Sequence, residues 1–186
     1  MIKEGFTRVS KILSPYTGYG SIPAHILDAK AEIGTQVHKR IEGYLKGIDI
    51  ENENPLVETY FKSAKSWLDS VIFEPILIEE RLYCDKYKIT GEPDLLIKSV
   101  GKICLIDWKT SIKENITWQA QGSAYSYLAE INGYGDINQI AFIQLDKNGE
   151  WPRIYQYKVD FEEFLFLMLN YDKYFKNSKQ NNLAEI

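Results

Sequence analysis

Four consecutive apolar residues, Ile103-Cys104-Leu105-Ile106, run directly into Asp107-Trp108-Lys109. A strand with one wet face alternates apolar and polar side chains. An unbroken apolar run instead needs cover on both faces, so this segment belongs in the middle of a sheet between two layers. Beyond Ile106 the pattern begins to alternate. Asp107 and Lys109 share one face of the strand, and Ile106 and Trp108 share the other. A carboxylate and an ammonium therefore emerge side by side at the end of a buried strand.

The flanking sequence supplies the layers. Residues 24–45 carry Val37, Ile41 and Tyr44/Leu45 at spacings of three and four, which predicts an amphipathic helix with a break near Gly34. Val57, Tyr60/Phe61, Ala64, Trp67/Leu68 and Val71 repeat the pattern in a second helix. Residues 6–23 contain Ser14-Pro15 and Gly18-Tyr19-Gly20, and predict a short helix followed by a loop. Residues 76–84 and 87–97 are rich in β-branched and aromatic side chains and predict a hairpin turning at Asp85-Lys86. Residues 117–131 read as helix. Residues 140–145 and 154–159 read as two strands around Asn148-Gly149, and Asp160 with Glu163 as a capping box opening a helix through residue 175. The tail from residue 177 is polar. Helices, three strands, a helix, two strands and a helix imply an α/β fold with a central mixed β-sheet flanked by helices.

A chain of 186 residues fits one domain, and 45% hydrophobic content suffices for its core. Lys, Asp or Glu interrupts every apolar run before it reaches membrane-spanning length, and the first residues lack the apolar centre of a secretory signal. Two cysteines, Cys84 and Cys104, make neither a disulfide framework nor a zinc site. As buried thiols they suit a reducing, cytoplasmic setting. The net charge of −4 runs against a simple nucleic-acid binder. It is compatible with a carboxylate-held cation, which restores positive charge where a phosphate approaches.

Gly91-Glu92-Pro93-Asp94 brings a second carboxylate near the first. Asp94 and Asp107 together are a sufficient protein contribution to a Mg²⁺ site, because that ion retains waters and accepts phosphate oxygens. A neighbouring lysine can position or deprotonate a water and offset negative charge on phosphate. Taken singly these residues have plainer readings: Pro93-Asp94 as a turn, Asp107 and Lys109 as polar strand ends, His38, beside Lys39 and Arg40, as a helix-surface residue, and Gln121 and Tyr125 as helix surface and core.

Their joint order resembles a known family. Pro93-Asp94 with Asp107-Trp108-Lys109 is a PD…DxK signature of the PD-(D/E)XK nuclease superfamily. Gly34-Thr35-Gln36-Val37-His38 with Ile41-Glu42 resembles the helical element of RecB-like exonucleases, phage and mitochondrial genome-maintenance types included. Glu79-Glu80-Arg81-Leu82-Tyr83 is similar to the strand preceding the first aspartate. Ile106 through Ser111 resembles I-D-[WF]-K-T-[SG], and Gln121-Gly122-Ser123-Ala124-Tyr125 the Q-x-x-x-Y helix. The elements fall in family order across residues 34–125.

The resemblance implies a single nuclease domain: residues 1–71 an N-terminal helical segment, 72–176 the catalytic core, 177–186 a tail. It implies Mg²⁺ or Mn²⁺ held by Asp94, Asp107, the Trp108 carbonyl and His38. Lys109 is then the catalytic lysine, Glu79 the strand glutamate (with Glu80 the alternative), and Gln121 and Tyr125 line the site. Two cysteines cannot hold an iron–sulfur cluster, so none is expected, and no phosphate loop ending in Lys-Ser/Thr marks a helicase. The implied partner is DNA, as a single strand or tailed duplex with a free end. A restriction-type endonuclease and a catalytically silent DNA-binding or inhibitory protein are the alternatives. With His38 reaching over the metal, the helical segment is expected to narrow the site so that a single strand threads into it. Tyr16, Tyr19, Tyr44, Trp118 and Tyr125 are the candidate stacking partners, and Lys39, Arg40, Lys86, Lys88 and Lys113 the candidate phosphate contacts.

Overall fold

A computed structural model describes residues 2–50 and 53–176. The strands are β1 (Thr7–Arg8), β2 (Glu74–Ile78), β3 (Leu82–Cys84), β4 (Ile89–Gly91), β5 (Leu95–Ser99), β6 (Lys102–Lys109), β7 (Gln139–Gln144) and β8 (Arg153–Tyr157). The helices are α1 (Val9–Leu13), α2 (Ala24–Leu45), α3 (Pro55–Leu68), α4 (Trp118–Ile131) and α5 (Phe161–Tyr174), with 3₁₀ turns at Ser14–Tyr16 and Tyr19–Ser21. None of these helices is long and apolar enough to cross a membrane.

The larger sheet has the order β2-β5-β6-β7-β8, parallel only between β6 and β7. As expected for a mixed α/β fold, β6 lies at its centre. Its apolar residues alternate between two cores. Leu105 joins Leu96, Ile140 and Phe142 under α4 and α5. Ile106 and Trp108 join Leu95, Ile97, Ala141 and Ile143 under α2 and α3. Each face thus removes its own apolar surface from water, worth roughly 25 cal/mol per Å², and neither helical layer is dispensable.

The long strand-like runs predicted as one hairpin divide. Residues 79–81 and 92–94 interrupt them, and the segments on either side join different sheets. β2 and β5 pair in the larger sheet. β3 and β4 pair in a second sheet of order β1-β4-β3, with β1 parallel to β4. Pro93, with no N–H to give to a ladder, sits in one interruption. Glu79, at φ +48°, sits in the other.

Other boundaries also shift. Residues 7–8 form β1, where only helix and loop were expected, because parallel pairing to a distant strand leaves no local signal. α2 passes unbroken through Gly34, whose helical cost of about 1 kcal/mol is absorbed by a helix of 22 residues. Asp160 caps α5 by accepting from Glu163 N at 3.2 Å. The return half of the expected capping box is replaced, since Asp160 N donates to Ser123 Oγ at 2.8 Å. The expected tail from residue 177 lies outside the described residues.

α4 approaches the sheet closely at Gly122. A Cβ there would lie 2.5 Å from Ile140 Cγ2 and 3.0 Å from Phe142 Cε2, both on buried residues. Gly122→Ala is expected to destabilise the protein by about 1–3 kcal/mol through overpacking. At Gly34 a Cβ would meet only Thr110 Oγ1, at 3.6 Å, so Gly34→Ala should be neutral or stabilising. Urea unfolding of both variants checks this; a Gly122→Ala midpoint equal to wild type would contradict the packing described.

Candidate active site

Register explains why chemistry gathers where β5 begins. β5 and β6 pair as far as Leu95 opposite Ile106. Continuing that register would set Pro93 opposite Trp108. Pro93 cannot donate to the Trp108 carbonyl, and the chain turns away here. The Asp94 side chain takes over: its Oδ2 accepts from Trp108 N at 2.7 Å. The carbonyl on the same edge of Trp108 faces His38, whose Nε2 lies 3.2 Å from it. A sheet hydrogen bond has been exchanged for a carboxylate and a carbonyl oxygen turned toward His38.

His38 reaches the same point from α2. Its Nδ1 lies 3.2 Å from Glu79 Oε1 and 3.3 Å from Asp94 Oδ1. Its side chain remains 28% exposed, opening onto a cleft. Glu79 N donates to the Asp94 carbonyl at 3.0 Å, which ties the two interruptions together. Of the neighbouring glutamates, Glu79 enters the cluster, while Glu80 accepts from the Tyr134 hydroxyl at 2.8 Å.

The other half of the site lies on the α4 face of β6. Asp107 is buried, and its Oδ2 is 2.5 Å from Lys109 Nζ. That oxygen makes an ion pair without a directed hydrogen bond. Lys109 Nζ donates to Gln121 Oε1 at 3.1 Å, and Gln121 Nε2 donates to the Tyr125 hydroxyl at 3.2 Å. The ammonium also stands 5.0 Å from the Phe142 ring centroid. Tyr125 in turn requires Gly91, since a Cβ there would lie 2.6 Å from Tyr125 Cε1.

Electrostatics follow from this crowding. Burial opposes a charge on His38, but the carboxylates of Asp94 and Glu79 outweigh it and hold the imidazole pKa well above its ordinary value. Burial pushes Glu79 up to about 7 against the pull of His38. Asp107 is pushed up to about 6 by burial and by Asp94, against Lys109. Burial, with Asp107 nearby, raises the Tyr125 hydroxyl.

The donor set suits a hard divalent cation. His38, Glu79 and Asp94 offer ligand atoms that all lie within 4.8 Å of one another, the one such set among the described residues. The Trp108 carbonyl adjoins it. Asp107 is not part of that tight set; its nearest charge is Lys109. Oxygen ligands with one imidazole fit a divalent cation. Each His38 ring nitrogen faces an oxygen of this set, Nδ1 toward Glu79 and Asp94 and Nε2 toward the Trp108 carbonyl.

The cleft, about 690 Å³, runs between α2 and the β4 end of the small sheet, with His38 and Glu79 in its lining. Of the cations expected to bind phosphate, Lys39 lines it. Arg40 instead pairs with Glu58 and Asp49. Lys86 lies over Tyr87, and Lys88 pairs with Asp85 at the hairpin tip. Lys113 sits in the loop after β6. Arg8 and Arg81 line the cleft without having been expected to. Arg81 pairs with Glu92, whereas Arg8 arrives through β1, which has no sequence signal. Among the expected stacking residues, Trp118 is buried against Phe142, Tyr44 donates to Asp69, and Tyr16 donates to the Leu167 carbonyl. These three serve packing. Tyr19 is exposed.

No family model and no curated protein matches this chain. Among solved structures, one titled "Crystal structure of SSO0001" is 18% identical, with a TM-score of 0.51 over 96% of this chain and 80% of that one. An alkaline exonuclease (LHK-Exo) from Laribacter hongkongensis is 12% identical, with a TM-score of 0.46 over 95% of this chain and 94% of that one. The first likeness is one of fold; nothing about activity rests on the second.

The raised pKa values of His38, Glu79 and Asp107 act in one direction. Each group holds its proton more tightly folded than unfolded, so without bound cation stability falls as pH rises from about 4 through about 7, and His38 extends the fall to higher pH. A cation binds the deprotonated ligands and opposes that fall. The increase in Tm produced by Mn²⁺ over EDTA should therefore be larger at about pH 8 than at about pH 5.5. Equal increments at both values would remove these groups from the metal site.

Proposed function

We propose that this chain is a divalent-metal-dependent DNA nuclease of the PD-(D/E)XK type, acting as an exonuclease on strands with a free end. The observation that carries the reading is the meeting of His38, Glu79, Asp94 and the Trp108 carbonyl beside the Asp107–Lys109–Gln121–Tyr125 chain. Motifs scattered over residues 34–125 of the sequence supply both groups, and His38, Glu79 and Tyr125 line the cleft.

In this reading Asp94, Asp107, His38 and the Trp108 carbonyl hold Mg²⁺ or Mn²⁺, with Glu79 beside them. A cation bound there acts as a Lewis acid toward water and phosphate. Asp94 is fixed by the Trp108 amide and needs little rearrangement to bind. Lys109 is steered by Asp107 and Gln121, so its ammonium can hydrogen-bond the attacking water and offset charge building on the phosphoryl oxygens. Gln121, anchored by Tyr125, sets the height of that ammonium. Buried Asp107 prevents Lys109 from folding away.

Three variants separate these roles. Asp94→Asn should abolish cleavage and weaken Mn²⁺ binding. Lys109→Ala should lower turnover by about 10²–10⁴-fold while retaining Mn²⁺ affinity by calorimetry. Lost affinity in that variant would contradict the division of labour. His38→Ala should lose a preference for Mn²⁺ over Mg²⁺, since imidazole favours the softer ion; an unchanged metal profile would return His38 to a structural role.

The requirement for an end is tested on labelled linear and covalently closed single-stranded DNA, with Mg²⁺, Mn²⁺ or EDTA. Linear DNA should be degraded far faster, and only with metal. Circles cut as fast as linear strands would favour an endonuclease, and no metal-dependent cleavage of either would favour a silent DNA-binding protein.

A further inference from the structure

Two hollows meet beside the proposed metal ligands. One is the cleft over His38 and Glu79. The other, about 710 Å³, follows residues 2–14, and Arg8 and Ser10 line both. We propose that together they form one track for a single DNA strand. Arg8 grips phosphate at the junction, Lys39 does so on the α2 wall, and Lys3 and Lys11 do so along the second hollow. The proposal deepens the nuclease reading and rests on it.

The charges argue for this course. Arg8, Lys11 and Lys39 take part in no ion pair among the described residues. By contrast, Arg40 and Arg81 are neutralised by carboxylates. Glu4 is the sole carboxylate lining the second hollow, against Lys3, Arg8 and Lys11. In a chain of net charge −4, unpaired cations following one path from a carboxylate cluster mark where a polyanion can lie.

Phe6 lines the second hollow, and Tyr83 packs against it. Phe6 and Tyr83 meet edge to face with centroids 5.1 Å apart, and both keep part of their surface open. Lys3 Nζ lies 4.4 Å from the Tyr83 centroid. Partly open rings beside cations suit single strands, whose bases stack while phosphates pair.

Arg8 is fixed relative to the reaction centre. β1 runs parallel to β4 with Arg8 opposite Thr90, and Thr7 N donates to the Lys88 carbonyl at 2.8 Å. The strand that receives β1 continues from Gly91 directly to Asp94. A backbone ladder, rather than a flexible tether, thus sets Arg8 beside the site.

The test uses fluorescein-labelled oligothymidylates of about 20 and about 5 nucleotides, with Ca²⁺ replacing Mg²⁺ to hold off cleavage, and follows affinity against KCl concentration. Arg8→Gln should weaken both oligonucleotides and reduce the salt slope by about 0.7, one phosphate contact on a single strand. Arg8→Lys should keep the slope. Lys3→Gln with Lys11→Gln should weaken the longer strand about three- to tenfold and leave the shorter unchanged, because only the longer reaches the second hollow. Lys102→Gln, at the start of β6, serves as the control and should change neither. If wild type binds and cleaves but Arg8→Gln keeps the wild-type slope, the track is overturned and the nuclease reading stands. If wild type neither binds these strands nor cleaves them with Mg²⁺ or Mn²⁺, the reading beneath the proposal is lost as well.

Discussion

The hydrogen bond from Trp108 N to Asp94 Oδ2 organises the molecule. A central strand normally satisfies its backbone groups on both sides through its neighbours. β6 does so along its length, until β5 gives out at Leu95. There a proline withholds its N–H, and an aspartate side chain replaces the missing acceptor. The substitution satisfies a buried donor, ends one sheet and starts another, and presents a carboxylate whose second oxygen faces His38 Nδ1 at 3.3 Å.

That single exchange accounts for the two-sheet arrangement. Had β4 and β5 been one strand, β1 and β3 would extend the larger sheet, and no cleft would open beside α2. The seam at residues 79–81 matches the seam at 92–94, with Glu79 N bonded to the Asp94 carbonyl. Both seams donate a carboxylate toward His38. Burial and the neighbouring carboxylates raise the pKa values of Glu79 and His38, the kind of local cost that structures keep at functional sites. The surrounding cores, with Trp108 and Phe142 fully enclosed on opposite faces of the sheet, hold it in place.

Much of this was legible in the sequence, for identifiable reasons. The unbroken run at residues 103–106 announced a central strand because burial on both faces forbids alternation. Helical periodicity located α2 and α3 because each buries one stripe, and the Asp160 cap marked the start of α5. The strand period put Asp107 and Lys109 on one face, where they pair. The division of the long strand-like runs was illegible, because β-branched composition is the same whichever sheet a strand joins. β1 was illegible because its partner lies some eighty positions away. The Glu79 and Glu80 alternatives differ only in which side of a positive-φ residue the chain exits, a matter of backbone conformation that composition does not encode. Tyr44, Trp118 and Tyr16 have the composition of a stacking surface, but packing claims their rings.

α2 has an asymmetry along its length. Its fully buried residues, Val37, Ile41 and Gly43, all lie in its second half, whereas residues 23–26 and 28–32 are exposed. The first three turns therefore stand as a cantilever, held by their own backbone hydrogen bonds and by little side-chain burial. His38 lies at the root of that beam, after Ile33 has met the core and one residue after Val37, the first fully buried position. Opening of the free turns need not disturb the ligand, since the helix is clamped from Val37 onward. Amide protection along α2 should consequently be graded, weak at the tip and approaching that of the core near the histidine. The same helix can thus flex at its tip and hold a side chain rigidly at its root.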